Sequence, residues 1–208
     1  MKIILSDAGK RFNREWIFRH FNYQFFSSHA YAITGPNGSG KSTLLQFIAG
    51  ALMPSEGNIT YYGQDGESRA EFFPFLSIAA PYLETIEEMT ANEFFGFHHQ
   101  FKPLMSGLTF SNILEKVGLK DAADKQIRYY SSGMKQRLKL AQAFFSDTPI
   151  LLLDEPTTNL DGSGIAMYHE LIRDFTQDRM LIISSNDPME YSFCQKVLDM
   201  KDLKSIRV

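Results

Sequence analysis

The sequence predicts an α/β protein with a mostly parallel sheet, an antiparallel β subdomain near its start and an inserted helical subdomain. Three observations predict it. A strand-sized apolar run, Tyr31-Ala32-Ile33, leads into Gly35-Pro36-Asn37-Gly38-Ser39-Gly40-Lys41-Ser42-Thr43, and a helical pattern, Leu44 to Ala49, follows. A second apolar run, Ile150 to Leu153, reads as a central parallel strand and ends in Asp154 and Glu155. From Glu84 to Phe145 the apolar period turns helical.

Composition sets the bounds. A chain of 208 residues holds one sizeable core and is short for two independent domains. The expected division is a single domain over 1–208, with a core of roughly 1–83 and 146–208 and a helical subdomain over roughly 84–145. With 21 basic and 24 acidic residues the formal charge is −3, which lacks the basic footprint of a nucleic-acid binder. Cys194 is the only cysteine, so no internal disulfide is possible, and it reads as a small core residue in a reducing compartment. The apolar runs fall far below the roughly 18 residues of a spanning helix, and membrane association is expected only through a partner.

In chain order, Met1 to Thr34 reads as β structure. Phe21, Tyr23 and Phe25 alternate with Asn22, Gln24 and Phe26, a period of two for a half-buried antiparallel strand. Lys10 to Arg14 reads as an exposed turn, where Phe12 or Trp16 offers a flat ring to a purine. Asn58 to Tyr62 and Ile78 to Ala80 are further strands. Thr90 with Glu93 makes a capping box for a helix through Phe94, Phe95 and Phe97, and Ser111, Leu114, Val117 and Leu119 suggest a second helix. The adjacent His98 and His99 face different ways on a helix, which favours a solvated edge over a metal site. Gly162 to Phe175 is a helix and Met180 to Ser185 a buried strand, while Lys196 to Met200 and Ile206 to Val208 are expected as edge strands.

The stretch from Gly35 to Thr43 has the spacing of a phosphate loop. Its glycines reach backbone angles closed to other residues, so successive N–H groups turn inward around a phosphate. Lys41 would reach the β and γ phosphates, Ser42 would offer its hydroxyl to Mg²⁺, and the helix start adds unpaired N–H groups. Such a loop needs a carboxylate for its metal, and Asp154 at the strand end is the candidate. Glu155 beside it would orient and deprotonate the attacking water. A second anion site is expected where Ser131 or Ser132 caps a helix beginning near Met134. One chain therefore carries two phosphate-binding helix ends but one Lys41, and the two need not serve the same nucleotide.

Together these residues resemble the ATP-binding subunit of an ABC transporter, with a P-loop NTPase core, over essentially the whole chain. The likeness rests on Gly35 to Thr43, on Tyr130-Ser131-Ser132-Gly133-Met134 where that family writes its signature, on Leu151 to Glu155, and on Asn159-Leu160-Asp161 as the D-loop. The size and the form of the signature resemble single-domain bacterial subunits of the ABC-2 and haem-exporter-like groups. The resemblance implies ATP and Mg²⁺ and a head-to-tail homodimer or paired subunit with ATP between the loop of one copy and Ser131 to Gly133 of the other. It also implies Asp161 coupling the two sites, and an integral membrane permease that holds the protein at the inner face of the cell membrane. Phe94, Phe95 and Phe97 would serve chiefly the core and partly that docking. Three departures stand out. Ser132 and Met134 replace the usual glycine and glutamine of the signature. Tyr82 occupies the Q-loop position, with Glu84 the nearest oxygen ligand. Asn186 stands where the switch histidine belongs and cannot exchange a proton near neutral pH. These departures keep open a nucleotide-gated regulatory subunit with weak hydrolysis, and a soluble non-transport ABC ATPase is the remaining alternative.

Overall fold

A computed structural model describes residues 1–204, so the strand expected at Ile206 to Val208 lies outside the described residues. The chain opens with strands β1 (Lys2–Phe12) and β2 (Glu15–Phe26), which pair antiparallel. Phe21 and Phe25 are buried while Asn22, Gln24 and Phe26 face solvent, as their alternation requires. The exposed turn is shorter than Lys10 to Arg14, because Lys10, Arg11 and Phe12 remain paired in β1 and only Asn13 and Arg14 turn the chain.

Strand β3 (Ala30–Thr34) runs into the phosphate loop and helix α1 (Lys41–Ile48). Strands β4 (Glu56–Tyr62) and β5 (Ser68–Arg69) complete an antiparallel sheet of order β2-β1-β4-β5. Strand β6 (Leu76–Ala79) starts two residues before the expected Ile78 and ends before Ala80.

Helix α2 (Ala91–His99) opens on the Thr90/Glu93 capping box, with both reciprocal bonds made. Helix α3 (Phe110–Lys116) is capped by Thr109, whose hydroxyl takes the Asn112 N–H, and it ends before Val117 and Leu119. Helix α4 (Ser132–Phe145) is capped by Ser131. Beyond it lie β7 (Ile150–Asp154), α5 (Gly162–Phe175), β8 (Met180–Ser184), the short α6 (Pro188–Tyr191), β9 (Lys196–Asp199) and α7 (Met200–Lys204). Met200, expected in an edge strand, instead begins α7, while β9 is the edge.

Strands β6-β7-β8-β3-β9 form a wholly parallel sheet in that order. Its side chains alternate between two cores. Leu151, Leu153, Leu181 and Ile183 pack with the helical segment, including Phe94, Phe95, Ile113, Leu138 and Tyr168. Ile150, Leu152, Met180 and Ile182 pack with α1 and the antiparallel sheet. The helical segment is thus continuous with the core on one face of the sheet. Phe94 and Phe95 are core residues there, and Phe97 is exposed.

His98 is not on a solvated edge. It is half-buried, with Nε2 against Ser146 Oγ at 3.0 Å and Nδ1 against the Gln142 amide at 3.3 Å, whereas His99 is exposed. Cys194 is partly buried against the same core, and burial pushes its thiol up to about 12. Among the described residues no helix is long and apolar enough to cross a membrane.

Candidate functional site

In an open parallel sheet, ligands bind beyond the carboxyl ends of the strands. Here three adjacent strands, β7, β8 and β3, deliver the three expected parts of one site to that edge. Strand β3 ends in the loop from Gly35 to Thr43, β7 ends in Asp154 followed by Glu155, and Asn186 follows β8 by two residues.

The loop is folded for an anion. The Ser39 N–H closes onto Pro36 O at 3.0 Å, and Lys41, only 5% exposed, donates to Gly35 O at 2.9 Å. Gly40 caps α1 with φ 103°, and a Cβ there would lie 2.1 Å from Ile17 Cγ2, so only glycine fits. Ile17 thus roofs the loop from the β1–β2 hairpin. Phe12, nearly half exposed, lies at the tip of the same hairpin, with Lys10 Nζ 5.3 Å from its ring. Trp16 is held between Arg11 and Arg19, at 5.6 and 4.6 Å, which gives it a packing role.

ATP and its magnesium fit the donor set on this structure's own terms. Asp154 is 2% exposed and its Oδ1 has no hydrogen-bond partner, and Ser39 Oγ is likewise buried and unpartnered. A native interior seldom leaves such atoms unpaired unless a ligand, ion or water completes them. Ser42 and Thr43, half-buried at the start of α1, complete the loop.

Glu155 adopts φ 42°, a left-handed backbone rare for a residue with a side chain, while its N–H donates to Ser184 O at 2.8 Å. Asn186 is exposed, accepts the Gly35 N–H at 3.2 Å on Oδ1, and donates from Nδ2 to Asn37 Oδ1 at 3.1 Å. The Tyr82 hydroxyl is raised in pKa first by burial and then by Asp154, with a hydrogen bond to Gln46 opposing, so it stands near Asp154. Glu84 lines a groove with Lys139, Phe97, Phe101 and Lys102.

The second helix start is at the surface. Ser131 and Ser132 are exposed, and Ser131 Oγ takes the Met134 N–H at 3.2 Å. The open question of the cap is thereby decided for Ser131. Ser131, Ser132, Gly133 and Met134 line a hollow of about 560 Å³ with Arg137, Asn159 and Asp161, and no phosphate-loop residue shares it. Asp161 caps α5 and places Oδ1 against Gly164 N, Ser163 Oγ and Arg137, so its first partners lie within its own chain. The Gly164 bond leads the lowering of its pKa.

A parallel sheet carrying a phosphate loop, a buried strand-end carboxylate beside it and a second capped helix start on a separate surface defines a P-loop ATP-binding cassette. The family described as ABC transporter matches residues 18–158, and the chain belongs to it. It is 30% identical over 200 residues to the uncharacterized ABC transporter ATP-binding protein YybJ of Bacillus subtilis, covering 95% of this chain and 92% of that one. Against the cytochrome c biogenesis ATP-binding export protein CcmA of Rhodopseudomonas palustris it is 33% identical, covering 87% and 90%. A putative ABC transporter ATP-binding protein from Pyrococcus furiosus shares the fold with a TM-score of 0.81 at 18% identity, over 99% of this chain and 100% of that one. A dimeric bacterial cassette, MJ0796, also gives 0.81, at 22% identity over 99% and 97%.

Sequence reasoning missed Ile17, Gln136 and Glu190. Gln136 is buried and donates to Pro156 O at 2.7 Å; Glu190 is buried and accepts the Thr157 N–H at 2.7 Å. No local pattern marks them, because their partners are distant in the chain.

Proposed function

We propose that this cassette hydrolyses ATP to drive substrate movement, in the export direction, through a separate membrane permease, and that it works as a head-to-tail pair. The observation that carries this reading is the separation of the two anion-binding helix starts. The start of α1 holds Lys41, and the start of α4 opens into a different hollow that supplies backbone N–H groups. A triphosphate held by one copy needs the second set from another.

In the site, Phe12 stacks on the base and the N–H groups of Gly35 to Thr43 wrap the phosphates, with Lys41 on the β and γ groups. Ser42 and Asp154 would hold Mg²⁺, which when bound neutralises charge on the phosphate oxygens. Glu155 takes the proton of the attacking water, Tyr82 borders the metal side, and Asn186 turns its Nδ2 from Asn37 to a γ-phosphate oxygen. Export is supported by the resemblance to CcmA, an export protein by name. The groove with exposed Phe73, Phe97 and Phe101 suits the permease, which would hold the subunit peripherally at the inner face of the cell membrane.

A nucleotide-gated regulatory subunit with weak hydrolysis is the second reading, favoured by Asn186 at the switch position. The test is turnover of MgATP by the purified chain, alone and with its co-purified permease. Glu155→Gln is expected to abolish turnover and to run as a dimer on sizing at millimolar MgATP. A Glu155→Gln protein that stays monomeric removes the sandwich, and no turnover in either preparation removes the hydrolytic reading.

A further inference from the structure

Glu155 occupies a left-handed backbone conformation, φ 42°, that is strained for a residue with a side chain and persists only where its surroundings over-determine it. Those surroundings are two buried side chains on either side of the next two residues. From α4, Gln136 Nε2 donates to the carbonyl of Pro156 at 2.7 Å. From α6, Glu190 Oε1 accepts both the N–H and the hydroxyl of Thr157. Glu190 is 3% exposed and Gln136 4%, and among the described residues no Lys or Arg forms an ion pair with Glu190. A carboxylate buried without a cation is expensive, and packing alone does not ask for one. Its backbone carbonyl is also fixed, by the Tyr168 hydroxyl at 2.7 Å.

We infer that Gln136 and Glu190 are positioning residues that clamp Pro156-Thr157 from opposite sides, and so hold the Glu155 carboxylate at the attacking water. The clamp also has a direction. Gln136 lies about one helical turn, roughly 6 Å, along α4 from Ser132, so the helix that meets the partner's nucleotide grips the residue after Glu155. Glu190 lies four residues past Asn186, so the segment facing the γ-phosphate grips Thr157. Glu155 is the node at which the signature helix and the switch segment of one subunit meet.

This rests on the hydrolytic reading of Glu155, and the experiment separates the two. Gln136→Met keeps the volume and removes the donor. Glu190→Leu removes the acceptor, and Glu190→Gln retains an accepting oxygen. Turnover is measured per bound nucleotide, using a fluorescent ATP analogue to count binding-competent sites. Gln136→Met and Glu190→Leu are expected to lose tenfold or more in kcat, of the order a displacement of about 1 Å produces, with KM within about twofold. Glu190→Gln is expected to recover most of the loss. In a Glu155→Gln background, Gln136→Met should still dimerise with MgATP, because the signature surface is untouched. If Glu190→Leu does not fold, Thr157→Val, which deletes one donor to the same carboxylate, replaces it. Loss of turnover only in proportion to lost binding sites overturns the clamp. So does full kcat in Gln136→Met while Glu155→Gln is inactive. Turnover surviving in Glu155→Gln overturns the underlying reading instead.

Discussion

Asn186 closes the mouth of the phosphate loop by bonding to Gly35: its Oδ1 takes the Gly35 N–H at 3.2 Å, which fixes the amide so that Nδ2 faces the loop and meets Asn37 at 3.1 Å. A donor held in this way is ready for charge developing on a phosphoryl oxygen, but it has no proton to exchange near neutral pH. Asn186→Ala is expected to lower kcat about a hundredfold with little change in ATP affinity. Asn186→His should add to the pH–rate profile a limb near the imidazole pKa of about 6.5, absent from the parent. Steady-state turnover between about pH 6 and 8 checks both. An alanine variant within about threefold of the parent would take Asn186 out of the site, and a large rate gain from histidine would favour the regulatory reading.

The turn at Ser131 to Gly133 packs on Asn159 without slack. A Cβ at Gly133 would stand 2.9 Å from the carbonyl oxygen of Asn159, a backbone atom that moves only with its loop. Gly133→Ala is therefore expected to cost about 1–3 kcal/mol and to push Asn159 to Asp161 out of place. Binding of ATP to the isolated subunit should persist, because Lys41 and its loop line a different surface. ATP-driven dimerisation should fail. Sizing of Gly133→Ala in a Glu155→Gln background reads the second effect, and urea unfolding reads the first; a stable dimer at millimolar MgATP counts against the packing argument.

What was legible in the sequence is what short-range chemistry specifies. The phosphate loop, the Thr90/Glu93 box and the limits of α5 follow from residues within a few positions of one another, and the structure has them as read. The antiparallel pairing of β2 follows from its period of two. Ser111 and Leu114 lie in α3 as their spacing requires, but the apolar period runs on through Val117 and Leu119 while the helix ends at Lys116, because apolar spacing does not mark where a helix stops. His98 reads as a surface residue because helical spacing does not report that Gln142 and Ser146 lie across from it. Glu84 reads as a Q-loop oxygen in the linear text, and its place beside Lys139 in the groove depends on a residue 55 positions away. The grip of Gln136 and Glu190 on Pro156-Thr157 spans 20 and 33 residues, and no window on the sequence contains it.

The half-buried His98 makes stability depend on acid. Burial leads the lowering of its pKa to about 4, and Lys102 and His99 add to it. The neutral ring is satisfied: Nδ1 accepts from the Gln142 amide, so Nε2 carries the proton and donates to Ser146 Oγ, which in turn donates to Gln142 O at 2.6 Å. Protonating Nδ1 would set one donor against another. The unfolded chain, with an ordinary imidazole near 6.5, binds more protons than the folded one between about pH 6.5 and 4. Stability from this residue is therefore whole above 6.5 and falls as the pH drops toward 4. His98→Gln has no such titration, and the carboxylates common to both proteins cancel in the difference between them. Relative to that variant, the parent is expected to lose about 2 kcal/mol over the interval, read from urea midpoints at a series of pH values. Parallel profiles for the two proteins would mean that His98 is open to water in solution, and would remove the network that ties α2 to the end of α4.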